Sequence, residues 1–120
     1  RKAAEQGHSK AQTNLGLAYD LGEGVPEDDT AAIKWFSKAA EQGDAKGQFN
    51  LGVMCATGSG IPVNFVLAYA WFDVALNNKN NMQPGETREM RDSLVVEMNT
   101  YEIAEAKKLS AEWQVNAPSY

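Results

Sequence analysis

Residues Lys2–Ser37 read KAAEQGHSKAQTNLGLAYDLGEGVPEDDTAAIKWFS, and Lys38–Asp73, which follow without a gap, read KAAEQGDAKGQFNLGVMCATGSGIPVNFVLAYAWFD. The second run is the first again, since Lys2 to Lys38 is a step of 36. Lys2, Ala3, Ala4, Glu5, Gln6 and Gly7 recur as Lys38, Ala39, Ala40, Glu41, Gln42 and Gly43. Gln12, Asn14, Leu15 and Gly16 recur as Gln48, Asn50, Leu51 and Gly52, and Gly22, Gly24, Pro26, Ala32, Trp35 and Phe36 as Gly58, Gly60, Pro62, Ala68, Trp71 and Phe72. A period between roughly 20 and 50 residues that keeps aromatic, small and turn residues in step marks a stacked-repeat protein.

Each period holds two helices. Gly7 suits the left-handed residue that ends an incoming helix. Ser9 with Gln12 matches a capping box for the next one, although the aligned Asp44 places the cap one residue earlier. From Lys10 to Leu21, Ala11, Leu15, Ala18 and Tyr19 share one helical face. Gly22-Glu23-Gly24-Val25-Pro26 then breaks the chain and presets a second helix; this Gly-x-Gly lacks the rest of any phosphate-binding fingerprint. Glu27, Asp28 and Asp29 suit the start of that helix, where negative charge opposes the macrodipole. They do not read as a metal site, because the second period has Val63, Asn64 and Phe65 there. Ala32, Trp35, Phe36 and Ala39 form the inner stripe. The second period predicts a cap at Asp44, helices over Ala45–Thr57 and Asn64–Asn77, and a Gly58–Pro62 turn. Its later helix is apolar on more than one side, as if a further segment packs across it.

The period fails after Leu76. Asn77-Asn78-Lys79-Asn80-Asn81 reads as a polar linker, and Pro84 with Glu86 as a helix start. That helix, Pro84–Met98, carries Met90, Leu94 and Met98 on one face. Thr100 is expected to cap a last helix, Tyr101–Val115, with Ile103, Ala106, Leu109 and Trp113 inward.

The run Ala32-x-x-Trp35-Phe36-x-Lys38-Ala39-Ala40-Glu41-Gln42-Gly43, with Ala11-x-x-x-Leu15-Gly16-x-x-Tyr19-x-x-Gly22-x-Gly24-Val25-Pro26, resembles the Sel-1-like repeat, a helical-hairpin relative of the tetratricopeptide repeat. The segment Met90–Gln114, with Arg91-Asp92, Leu94, Met98-Asn99, Ile103-Ala104-Glu105-Ala106, Leu109 and Glu112-Trp113, is similar to the closing hairpin of bacterial members. The resemblance implies an all-α fold, an α-α superhelix of antiparallel hairpins with a C-terminal capping hairpin. It divides the chain into a preceding helix tail (1–7), repeats at 8–43 and 44–79, a capping hairpin at 84–115 and a loose tail at 116–120. It also gives a reason for Gly16 and Gly52, each costing about 1 kcal/mol inside a helix: the paired helices approach too closely for a side chain.

Composition narrows the function. A net charge of −5 and a pI near 4.8 speak against nucleic acid or an anionic membrane surface as main partner. No apolar run approaches the roughly 20 residues of a membrane span, so no membrane insertion is expected. Cys55 is the sole cysteine, so no internal disulfide forms; it takes the position of Tyr19 one period on and reads as a buried helix-interface residue. His8, the sole histidine, belongs to no Cys–His arrangement. No cofactor and no metal site are expected. Arg1 falls in mid-pattern, and the expectation is a segment of a longer array whose targeting information lies elsewhere. The compartment, cytoplasmic or periplasmic or secreted, is therefore open.

The resemblance implies a scaffold that binds other proteins, with the first helix of each hairpin lining the concave side. Residues there that do not serve the hairpin core are Lys10, Thr13, Asn14, Leu17, Asp20 and Leu21, then Lys46, Phe49, Asn50, Val53 and Thr57. An apolar strip of Leu17, Phe49 and Val53 flanked by Lys and Asn suits a partner peptide or domain. Packing between neighbouring helices is the other reading of those three. Two further functional readings are a structural segment that extends, caps or self-associates through its N-terminal edge, and an enzyme acting on β-lactams, as reported for cysteine-rich relatives. Against the enzyme, the chain lacks paired cysteines and an S-x-x-K motif.

Overall fold

The computed structural model describes residues 7–116, with side chains as far as Gln114. Apart from Gly7 and Asn116, the expected tails at 1–7 and 116–120 lie outside the described residues. Six helices follow in order: α1 Ser9–Leu21, α2 Asp29–Glu41, α3 Ala45–Thr57, α4 Phe65–Leu76, α5 Pro84–Leu94 and α6 Thr100–Asn116, with a 3-10 turn at Val95–Glu97 between the last two. The fold is all-α, with no strand among the described residues. The molecule is elongated, 42 × 30 × 22 Å.

The repeated turns are built by repeated bonds. Gly22 and Gly58 end α1 and α3 at φ 69° and 74°, in the left-handed region where a side chain is strained. The Asp28 amide donates to Tyr19 O, and 36 residues later the Asn64 amide donates to Cys55 O, both at 2.9 Å. Asp28 Oδ1 then accepts from the Ala31 amide at 3.1 Å, and Asn64 Oδ1 from the Leu67 amide at 3.0 Å. The acidic stretch before α2 thus supplies an N-cap.

Inside each hairpin one aromatic ring lies against the partner helix backbone. A Cβ on Gly16 would stand 2.6 Å from the Phe36 ring, and one on Gly52 would stand 2.8 Å from Phe72. Both rings are fully buried. Around them run two apolar clusters. One joins Ala32, Phe36, Ala40, Leu51 and Met54; the other joins Cys55, Ala68, Tyr69 and Phe72 to Leu94, Met98 and Ala106, and Trp71 packs against both.

Polar bonds close each hairpin end to start and, beside the first apolar cluster, also join one unit to the next. Gln42 Nε2 donates to Gln12 Oε1 at 2.5 Å, and one period on Asn78 Nδ2 donates to Gln48 Oε1 at 3.2 Å. Asn78 Nδ2 also reaches Gly43 O at 2.8 Å, and Gln48 Nε2 reaches Ala40 O at 3.2 Å. Asp44 caps α3 through the Gly47 amide (2.9 Å) and takes the Thr13 hydroxyl of the preceding hairpin (2.6 Å) on the same oxygen.

The closing pair departs from the hairpin pattern, because α5 and α6 each pack chiefly against α4 rather than against one another. Asp73 on α4 holds both: Oδ1 pairs with Arg91 at 2.8 Å and Oδ2 accepts from Ser110 Oγ at 2.7 Å. Trp113 stacks on Trp71 with centroids 4.4 Å apart. Two expected caps are corrected. His8, not Ser9, stands at the N-cap of α1 and offers no side-chain bond, while Gln12 is turned to Gln42 instead of back to its own helix. Asn99, not Thr100, caps α6: its Oδ1 accepts from the Glu102 amide (2.8 Å) while Glu102 Oε1 accepts from the Asn99 amide (3.0 Å). The helix expected to run to Met98 ends at Leu94 and tightens into the 3-10 turn.

Candidate functional site

The helices α1 and α3 begin side by side, and their first turns, the loop between α2 and α3, and the linker before α5 enclose a cavity of about 820 Å³. Lys10, Thr13 and Asn14 come from α1, Asp44 and Lys46 from the start of α3, and Lys79, Asn80 and Met82 from the linker. Three of the chain's eleven Lys and Arg residues line this cavity, although the whole chain carries net charge −5. Its local charge therefore opposes that of the molecule.

The eleven candidate residues separate into groups. Lys10, Asn14 and Lys46 are exposed and line the cavity. Thr13 is buried and committed to Asp44, so it fixes a joint rather than offering a free group. Leu17 packs on the first apolar cluster, and Phe49 and Val53 on the second. The Phe49 ring sits 5.6 Å from that of Phe72. All three are half-buried, and Phe49 and Val53 rest on α4 and the closing helices rather than between α1 and α3. Leu21 and Thr57 are exposed at the far ends of their helices, outside the cavity, and the Thr57 hydroxyl bonds to Val53 O at 3.0 Å. Asp20 is half-buried, and burial, reinforced by Asp29, pushes its carboxyl above the usual range. Asn50 keeps Nδ2 buried with no acceptor among the described residues.

Sequence reasoning missed Lys79 and Met82. Met82 stands 36 residues after Lys46, itself 36 after Lys10, but the loss of the repeat pattern beyond Leu76 hid that register. Of the other described cations, Lys34 and Lys38 approach the Trp35 ring at 5.5 and 5.1 Å, and Arg91 is bound to Asp73 and Asp92. Cys55 is 2% exposed, and burial pushes its thiol up to about 11, so it carries almost no thiolate at neutral pH. Among the described residues no group of His, Cys, Asp and Glu could hold a metal ion, and no helix is long and apolar enough to cross a membrane.

A family model of the Sel1 repeat matches residues 1–8, 9–44 and 45–80. The chain belongs to the Sel1 repeat family. Among solved structures, it is similar to c5321, a protective antigen of uropathogenic Escherichia coli strains displaying an SLR fold, with 36% identity and a TM-score of 0.91 over 98% of this chain. It spans only 24% of that protein. A Sel1 repeat protein from Oxalobacter formigenes matches over 76% of this chain and 65% of its own, at 32% identity and a TM-score of 0.69. No curated protein matches the chain. Sel1 repeats are in general non-catalytic scaffolds for protein interaction.

Proposed function

We propose that this Sel1 segment is a protein-interaction scaffold whose partner lies across the leading helices α1 and α3, over the cavity at their first turns. The observation that carries this reading is that cavity: its rim is formed by exposed side chains with no role in the apolar clusters, whereas the apolar strip further along the same helices is used internally. A partner seated there engages the two repeats and the linker together, so its affinity depends on their stacking.

Introducing a photo-crosslinking residue tests the reading, at Asn14 on the cavity and at Lys107 on the outer side of α6, in the full-length protein in its source cells. A protein adduct is expected from Asn14 and not from Lys107. The same adducts from both positions, or none from Asn14, overturn the groove reading. An adduct only to a second copy favours the structural reading in its place.

A further inference from the structure

The charge of the cavity bears on the kind of partner it takes. Lys10 and Lys46 stand in the first turns of α1 and α3 at matching positions of the repeat, and Lys79 joins them from the linker. None of the three makes an ion pair among the described residues, whereas Arg91 makes two. One carboxylate of the chain already lies here: Asp44 accepts hydrogen bonds from the Gly47 amide and the Thr13 hydroxyl, which leaves three ammonium groups facing a single tethered negative charge. The rim also carries Met82, 92% exposed, whose unbranched thioether adapts to varied apolar shapes.

We propose that the cavity receives an acidic segment of a partner protein, its carboxylates on Lys10, Lys46 and Lys79 and a neighbouring apolar side chain against Met82. This rests on the groove-binding reading above and specifies its partner. Each exposed ammonium–carboxylate pair is individually weak and screened by salt, so affinity requires several at once and declines as ionic strength rises. The complementarity is local, because the chain as a whole carries net charge −5, so it fixes the register of an acidic segment at short range.

Fluorescence anisotropy tests this with a short fluorescein-labelled peptide of glutamates flanking one leucine, beside the same peptide with glutamine for glutamate. The glutamate peptide is expected to bind, the glutamine peptide not. Lys10→Glu with Lys46→Glu is expected to weaken binding about tenfold or more, while Lys107→Glu with Lys108→Glu, the same charge change on α6, leaves it unaltered. Met82→Ser is expected to weaken it about threefold. Circular dichroism of each variant confirms that the helices are retained; if the double Glu variant unfolds, Lys10→Gln with Lys46→Gln replaces it and is expected to weaken binding in the same direction. No binding of the glutamate peptide, equal binding of the glutamine peptide, or equal loss in the α6 variant overturns the proposal. Inorganic phosphate competing as effectively as the peptide overturns it too, in favour of a simple anion site. An adduct from Asn14 together with a silent glutamate peptide removes only the acidic partner. Failure of both removes the groove.

Discussion

At residue 52 a hydrogen atom in place of a methyl group sets how closely α3 and α4 approach. Replacing Gly52 by Ala improves helix propensity by about 1 kcal/mol, but the new Cβ would lie 2.8 Å from a Phe72 ring that is fully buried and has nowhere to turn. Overpacking of this kind costs about 1–3 kcal/mol, so Gly52→Ala is expected to be destabilising by about 1 kcal/mol, read as a lower urea midpoint at unchanged slope. Gly85 in α5 has nothing within 4 Å of its Cβ position, so Gly85→Ala is expected to raise the midpoint. A neutral Gly52→Ala would show that the ring yields and that the glycine answers to something else. Sequence marked Gly16 and Gly52 as residues in need of a reason, and the family resemblance supplied close helix approach. Which ring filled the space was hidden, because that depends on the rotation of the second helix about its axis, which no local pattern fixes.

Among the elements, helix starts were more legible than the use made of them. Asp44 caps the helix expected of it, while Asp28 and Asn64, read as first-turn residues of theirs, stand one residue before those helices as N-caps, since a short polar side chain before an apolar run has few other roles. They are not equivalent in energy. Asp28→Ala is expected to cost about 1 kcal/mol, an ordinary exposed cap. Asp44→Ala also strands the Thr13 hydroxyl, 2% exposed, and is expected to cost about 2–3 kcal/mol, with chemical denaturation separating the two variants. Equal costs would mean that the bond to Thr13 contributes nothing. The same hydroxyl explains why the candidate site was only half legible. Thr13 looked free on a helical wheel, and Gln12 looked like half of a capping box, because their partners lie about 30 residues away, Gln42 at the end of the same hairpin and Asp44 at the start of the next. Lys10, Asn14 and Lys46 were legible because no partner among the described residues competes for them.

In the whole molecule, the last layer is held on α4 by apolar packing and by one carboxylate that bonds both of its helices. Asp73→Ala would leave the buried Ser110 hydroxyl without its acceptor and Arg91 with Asp92 alone, at an expected cost of about 2–3 kcal/mol. Amide exchange should then quicken in α5 and α6 and change little in α1 and α2, since stability in such stacks is local. Uniform acceleration along the chain would instead show a single cooperative unit. The all-helical superhelix was legible from the 36-residue step, and the way α5 and α6 lie across α4 was not, since the step ends before them. The paired amide bonds that close the two hairpins, Gln42 to Gln12 and Asn78 to Gln48, both span 30 residues. Each hairpin is therefore closed over one fixed length of chain, like a link that fits only a sprocket of matching pitch. Such an array can lengthen by duplicating a whole unit without leaving a mismatched joint, while a slip of one residue rotates an apolar stripe out of place. Its reach is thus a quantity that heredity can change in integer steps.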